Sequence, residues 1–594
     1  MAEYKKGGYK ISDIYQGGYS SLNPSNSYIT TGSLGMTTDP RVANVLQEVS
    51  TKLSTGVKQI EITAVSPEVF DSMPKQQLKE VNRLAKLTGI DVSLHGPVIN
   101  ISGINQQGFS ESEREAAERR VTDTLLRAKE LNPEGNIPVT FHSSEGIPGS
   151  QLLPPSKRKE KEEYQRIIAV NRESGKLAAL EPEIKYYPGE KIEEKNFTPE
   201  KRIKILNDSE WDNSLNQVFF NQERAKEILG KNQVQIQHIL KELNQMQETQ
   251  GKIDPRVFSP EQIQAYNNLT TAQNYLQDVR QQVNDFFSKA YEFGDERQKE
   301  ILKAYSEDFR KKIEGKNINP FAQAEALQEL INQMRSQKLN VTPNMWVPIE
   351  EFSIGKSAQT FGNAAFESYK KFGEQAPLLV IENPPAGFAL STGEDIKNVV
   401  EASRKQFIEQ AKKEGISESQ AKKEAEKLIG ATWDVGHINM LRKHGYSEEE
   451  IVGETKKIAP YVKHIHLSDN FGFEHTELPM GMGNVPLKKM MEKLGEKGVE
   501  SKKIIEAAHW WQHFKTPPFQ EVLEGVGSPV YSMKMAPYWN QTTGLQEGYF
   551  SGYGQTLPQI NYETFGAGFS QLPQELGGQM PGARGNRMSG RPME

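Results

Sequence analysis

Ten histidines and no cysteines set the terms on which this 594-residue chain could hold a metal ion. Without thiolates, disulfide stapling and thiolate zinc sites are excluded, so any ion must sit among imidazole and carboxylate ligands. Five histidines stand at or just beyond the carboxyl end of a short apolar run: His95 in VSLHGP, His142 in VTFHSS, His437 in WDVGH, His466 in HIHLSDN and His475 in FEHTEL. Three carboxylates take equivalent places, Glu382 closing PLLVIE, Asp434 closing ATWD and Glu506 closing KKIIE. Imidazole with carboxylate suits Zn²⁺, Mn²⁺ or Fe²⁺. Asp434 and His437 stand three apart, which lets one finish a strand while the other folds back from the loop. A single histidine at a strand end is most often a packed structural residue. Eight metal-capable side chains gathered at successive strand ends instead point to one shared site.

The elements that must position them follow from periodicity. VKQIEIT (57–63), IDVSLHGP (90–97) and IPVTFHSS (137–144) read as strands, separated by helical patterns at 74–89 and 110–131. Ser110 with Glu113 three residues on is an N-cap signature. Alternation resumes with strands at 377–383, 429–437, 461–470 and 501–509, and with helices at 393–428, 447–460, 485–495 and 517–526. SPVYSM (528–533) completes a count of eight strands. Strand and helix in alternation predict parallel α/β architecture, and eight strands predict a (β/α)8 TIM barrel, whose strand ends converge on one mouth.

The domain organisation expected is therefore an irregular leader over 1–40, a first part of the barrel over 41–145, an insertion over 146–374, a second part of the barrel over 375–539, and a disordered Gly/Gln/Pro-rich tail over 540–594. Within the insertion, YQRIIAVNRESGKLAALEPEIKYY reads as a hairpin about Glu173-Ser174-Gly175, and 198–340 as long Gln-, Glu- and Lys-rich helices. Their sparse apolar positions predict an exposed, partner-binding module rather than a second large core.

A hydrophobic content of 36% and a mean hydropathy of −0.66 are low for a compact globule. They predict long solvated helices or disordered stretches. The net charge of −6 builds no global positive field, so nucleic-acid contact must rely on a local patch such as SKRKEKEEY (156–164). No stretch approaches a membrane span and the start lacks a signal-like apolar run, which predicts a cytoplasmic protein with no membrane partner.

HGPVIN, FHSS, IENPPAG, WDVGH, HIHLSDN, HTELPMGMG and IIEAAH, in this order, resemble the xylose-isomerase-like barrel superfamily and, within it, endonuclease IV, the metal-dependent apurinic/apyrimidinic endonuclease family. The resemblance covers roughly 45–145 and 375–535. It implies two or three divalent ions, Zn²⁺ foremost with Mn²⁺ as alternative. His95 and His142 would hold the first ion, with Glu382 bridging to the second; Asp434, His466 and Glu506 would complete the second. His437 and His475 would serve a third. Glu382 and Glu506 are the implied catalytic groups, and DNA with abasic sites the implied partner. The chain departs from that pattern at Phe473, where the family has an aspartate that Asp469 or Glu474 would have to replace, at Met482, and at Val98 in place of a DNA-contacting tyrosine.

A sugar isomerase or epimerase of the same superfamily is the second reading. It uses Glu382, Asp434, His466 and Glu506 around one ion, moves a proton beside a carbonyl of a small sugar, and leaves His95 and His142 without a metal role. A non-catalytic scaffold binding a protein partner through the helical insertion is the third. Trp510 and Trp511 could stack a base or sugar at the mouth, or pack beneath a loop. Glu61 in IEIT reads as a residue pointing into the barrel, either polar core or site, between which alternation does not choose, and His464 has no partner that the sequence names.

Overall fold

The computed structural model describes residues 33–525 apart from 43, 161, 188–192, 251–258, 314–318, 336–340 and 515, together with 587–588 and 591–592. Eight parallel strands close a barrel: β1 (Leu34–Thr37), β2 (Gln59–Thr63), β3 (Asp91–His95), β4 (Pro138–His142), β5 (Leu378–Glu382), β6 (Ile429–Asp434), β7 (Val462–Leu467) and β8 (Lys502–Ile505). Each pairs with the next, and β8 returns to β1. The helices around it are α1 (Val45–Leu53), α2 (Lys75–Thr88), α3 (Glu111–Ala128), α4 (Ile349–Phe372), α5 (Gly393–Lys413), α6 (Glu418–Leu428), α7 (Glu448–Ile458) and α8 (Leu487–Leu494).

Local chemistry sets their ends. Ser110 accepts from the Glu113 amide to start α3, while Thr392 with Asp395 and Ser447 with Glu450 form capping boxes on α5 and α7. Gly89, at φ +66°, terminates α2 in a left-handed conformation that suits glycine. The apolar faces of α4 and α5 meet over the sheet, where Phe361, Phe366 and Phe407 join the barrel's core. Each such ring stabilises the fold by roughly 1.5–3 kcal/mol.

The eighth strand is not the one expected from SPVYSM, a stretch that lies outside the described residues. LGMT at 34–37, assigned above to the leader, is β1, and it closes the barrel between β8 and β2. Four residues with a central glycine carry no readable alternation. Gly35 is nonetheless required, because a Cβ there would stand 2.5 Å from Ile504 Cδ1 and 2.7 Å from Gln59 Cβ.

Between β4 and α4 the chain leaves the barrel. Strand 164–171 pairs antiparallel with 177–180 through a turn in which Asn171 Oδ1 accepts from the Glu173 and Ser174 amides, and strand 346–348 adds to its other side. Five helices follow the hairpin: Pro199–Lys231, Gln233–Gln250, Pro260–Phe293, Glu296–Ile313 and Pro320–Met334. They carry a core of their own, with Trp211, Leu215, Val218, Leu269, Leu276, Val279, Leu327 and Ile331 among its buried residues. That corrects the expectation of a module without a second core. One stripe at spacings of three and four suffices to bury a seam, and the polar outer faces of long helices dilute it in the composition. Helix 349–372 also belongs elsewhere than expected: its Phe361, Ala364 and Ala365 pack into the barrel, so the barrel resumes before residue 374.

The tail beyond 540 lies outside the described residues, save that Arg587–Met588 pairs antiparallel with Arg591–Pro592. No described helix is long and apolar enough to cross a membrane.

Candidate metal centre

Strand register brings the candidate ligands to the carboxyl ends of neighbouring strands. Glu382 is the partner of His142 across β5 and β4, Asp434 is the partner of His466 across β6 and β7, and His95 closes β3 beside Thr140. All therefore project at the carboxyl mouth, where parallel barrels place their reactive groups. Glu506 follows β8 directly.

Glu382 is the hub, with no solvent exposure. Its Oε2 lies 3.2 Å from His95 Nε2 and 3.3 Å from His142 Nε2. Its Oε1 lies 2.7 Å from His466 Nδ1, which is itself 3.2 Å from Glu506 Oε1. On the other side, Asp434 Oδ2 stands 3.5 Å from His437 Nε2, and His437 Nε2 is 2.8 Å from His475 Nε2. Three overlapping groups of possible ligands result among the described residues: His95, Glu382, His466 and Glu506; Glu382, Asp434 and His437; and Glu61, His464 and His466; His142 falls in none of them.

Several details fit a cation at this place. In the neutral rings, His95 Nδ1 donates to the Gly96 carbonyl at 2.9 Å and His437 Nδ1 to the Asn383 carbonyl at 2.7 Å. Each ring then presents the Nε2 lone pair to a carboxylate, an arrangement of acceptors that calls for a positive charge between them. Glu382 Oε2 is buried and has no hydrogen-bond partner among the described residues. Ligand atoms on a tetrahedral ion with bonds of about 2.1 Å stand about 3.4 Å apart, close to the separations around Oε2.

The electrostatics are correspondingly strong. Burial works to raise the Glu382 carboxyl, but the His466 and His142 imidazoles outweigh it and hold the group well below the usual range. Burial opposes a charge on His466, yet Glu382 and Glu506 raise it well above an ordinary histidine. Burial pushes Glu506 well up, with His466 opposing and Glu382 and Asp434 adding to the rise. Burial lowers His437 to about 4 against the pull of Asp434. A divalent ion would displace the protons that otherwise balance these groups.

The outer part of the site differs from the expected pattern. Phe473 is an exposed ring. Asp469 does not replace the missing aspartate: its carboxylate accepts from the amides of Asn470, Gly481, Gly483 and Val485 at 2.8–3.0 Å, pinning the loop after β7. Glu474 is exposed. The carboxylate found beside His475 is that of Glu477, 3.8 Å from Nε2, on a backbone at φ +46° that is strained for a side-chain-bearing residue. Met482 is exposed and Val98 part-buried. Trp511 packs inward, with Lys52 Nζ 4.0 Å from its ring centre, while Trp510 lies against Phe514.

Sequence reasoning missed one pairing. Glu61, read above as polar core or site, and His464, left without a partner, are fully buried below the ligands, and His464 Nε2 lies 2.8 Å from Glu61 Oε2. Glu61 and Ser93 are register partners on β2 and β3, a pairing that only strand alignment reveals.

Residues 393–526, which include Asp434, His437, His466, His475 and Glu506, match the family described as the xylose isomerase-like TIM barrel. Over 87 residues the chain is 32% identical to an uncharacterized protein of Methanocaldococcus jannaschii. That likeness takes in 14% of this chain and spans only 28% of the length of the curated relative. Among solved structures the chain is similar to a D-tagatose 3-epimerase-like protein, with a TM-score of 0.34 and 12% identity, covering 84% of this chain and 99% of that one.

Proposed function

We propose that this barrel is a metal-dependent phosphodiester hydrolase, and that DNA carrying abasic sites is its substrate. The observation that carries this reading is the convergence of His95 and His142 on Glu382 Oε2, at 3.2 and 3.3 Å. A one-ion sugar site needs only Glu382, Asp434, His466 and Glu506. Two further imidazoles on the same carboxylate would supply ligands for a second ion, and Glu382 would be shared by both donor sets.

Zn²⁺ is the ion the donor set fits best, with Mn²⁺ as the alternative. Bound ions supply Lewis acidity toward the phosphoryl group and make water a better nucleophile at neutral pH. The chain's own residues do the rest. Glu382 holds two donor sets in register and orients the attacking water through its buried carboxylate. Glu506, 3.2 Å from His466 Nδ1, would complete the donor set of the second ion. His437 and His475, with Glu477 nearby, form the outer edge where a leaving oxygen would be received.

The placing of Glu382 and Glu506 on either side of His466 Nδ1, at 2.7 and 3.2 Å, favours a second reading, an isomerase or epimerase in which the two carboxyls move a proton on a small sugar. A direct contest separates the two. The protein, loaded with Zn²⁺ or Mn²⁺, is incubated with an abasic-site duplex and with a panel of ketoses. Cleavage 5′ to the lesion supports the hydrolase, and carbon-3 epimerisation or aldose–ketose conversion rejects it. Silence in both, with metal bound, leaves the scaffold reading and a protein partner at the helical insertion.

A further inference from the structure

We infer that Glu61 is a positioning residue for the metal centre, acting through His466 from beneath. The inference rests on the metal reading above and concerns a group that this reading does not use.

The geometry is a buried chain across the barrel. Glu61 projects inward from β2, and His464 and His466, two residues apart on β7, project inward from the far wall. Glu61 Oε2 accepts from Ser93 Oγ at 2.8 Å and lies 2.8 Å from His464 Nε2. Its Oε1 lies 2.9 Å from His466 Nε2, an ion-pair contact, and neither of those two atoms makes a hydrogen bond among the described residues. Glu61, His464 and His466 are all 0% exposed.

A carboxylate at such depth needs compensating partners. Ser93 and His464 are bonded to its Oε2, which leaves Oε1 in ion-pair contact with His466. With Glu61 Oε1 2.9 Å from Nε2, the His466 proton that an ion would displace is the one on Nδ1, the nitrogen that faces Glu382 and Glu506. Glu61 thus favours ligation through Nδ1 and fixes the tilt of the ring. Carboxylates placed behind a ligating imidazole do the same elsewhere, and their loss weakens metal affinity about 10–100-fold.

The test is metal affinity, read by competition against a chromophoric chelator with Zn²⁺ alone. Glu61→Gln preserves volume and is expected to weaken Zn²⁺ binding by about 10–100-fold. Nitrogen NMR of histidine-labelled, Zn²⁺-loaded protein is expected to show His466 ligated through Nδ1 and protonated at Nε2 in the wild type, and a mixture of ligating nitrogens in the variant. Should Glu61→Gln fail to fold, Ser93→Ala removes one donor from Glu61 more gently and is expected to weaken binding several-fold. Unchanged affinity with an unchanged His466 ligating nitrogen in a folded variant overturns the inference. If the wild type itself binds no Zn²⁺, it is the metal reading that fails, so the two failures are distinguishable.

Discussion

Asn383 and Asp434 clamp each other across the ends of neighbouring strands. The Asp434 amide donates to Asn383 Oδ1 at 2.9 Å, and Asn383 Nδ2 donates to the Asp434 carbonyl at 3.0 Å. Both residues are fully buried, and Asn383 directly follows Glu382. The clamp therefore ties the bridging carboxylate to the strand that carries Asp434 and His437.

Asn383→Ala leaves a buried amide and a buried carbonyl without partners, at about 1–3 kcal/mol for each. Urea denaturation is expected to show a loss of about 2–5 kcal/mol from the two together. Metal affinity is expected to fall with it, because β5 and β6 no longer hold a common level. An unaltered midpoint would mean that the clamp contributes nothing.

Metal content is the plainest check on the centre. Purified protein is expected to carry more than one equivalent of Zn²⁺ or Mn²⁺ by elemental analysis, and its melting temperature is expected to drop on chelation, since the ion binds only the folded chain. A chain that takes up no metal after soaking at neutral pH would remove the hydrolytic proposal.

Glu382→Gln keeps the shape of the hub and removes its charge. Turnover is expected to fall by about a hundredfold or more, the scale of losing an interaction made in the transition state, while circular dichroism stays that of the wild type. Retained activity would place the reacting atoms elsewhere.

Glu350, at the start of α4, gives a pH prediction independent of the centre. Its Oε1 accepts from the Ser150 amide at 2.6 Å. Burial, with Asp395 adding, pushes its carboxyl up to about 7. Because the folded value is raised, the folded chain keeps the proton longer than the unfolded one. Its stabilising contribution is full below the ordinary carboxylate range, and is lost as pH rises through about 7. Glu350→Gln, which stays neutral, is thus expected to match the wild type near pH 4 and to exceed it at pH 8 in denaturation midpoint. Equal midpoints at both values would show a normally ionising group.

Much of the barrel was legible because its signals are local. Seven of the eight strands carry apolar runs that end at a ligand or a turn, and Ser110, Thr392 and Ser447 announce helix starts within a few residues. β1 was not legible. Its identity depends on the gap between β8 and β2, which only closure creates, and Gly35 is chosen by close approach rather than by strand preference. The insertion's core was hidden for another reason, since a narrow buried stripe on a 34-residue helix such as Pro260–Phe293 leaves most of its length polar.

By itself the sequence determined which residue types were available for an ion and which strand ends presented them. Residue chemistry and alternation travel with the chain, whatever it folds into. The tertiary structure decided which groups meet: Glu382 with His95 and His142, His437 with His475, and Glu61 with His464 and His466. It also decided that Asp469 serves the loop's backbone, leaving Glu477 as the acid beside His475. The reason is physical. Partners such as Glu61 and His464, 403 positions apart, are matched by strand register and barrel closure, and neither is written in any local stretch of the chain.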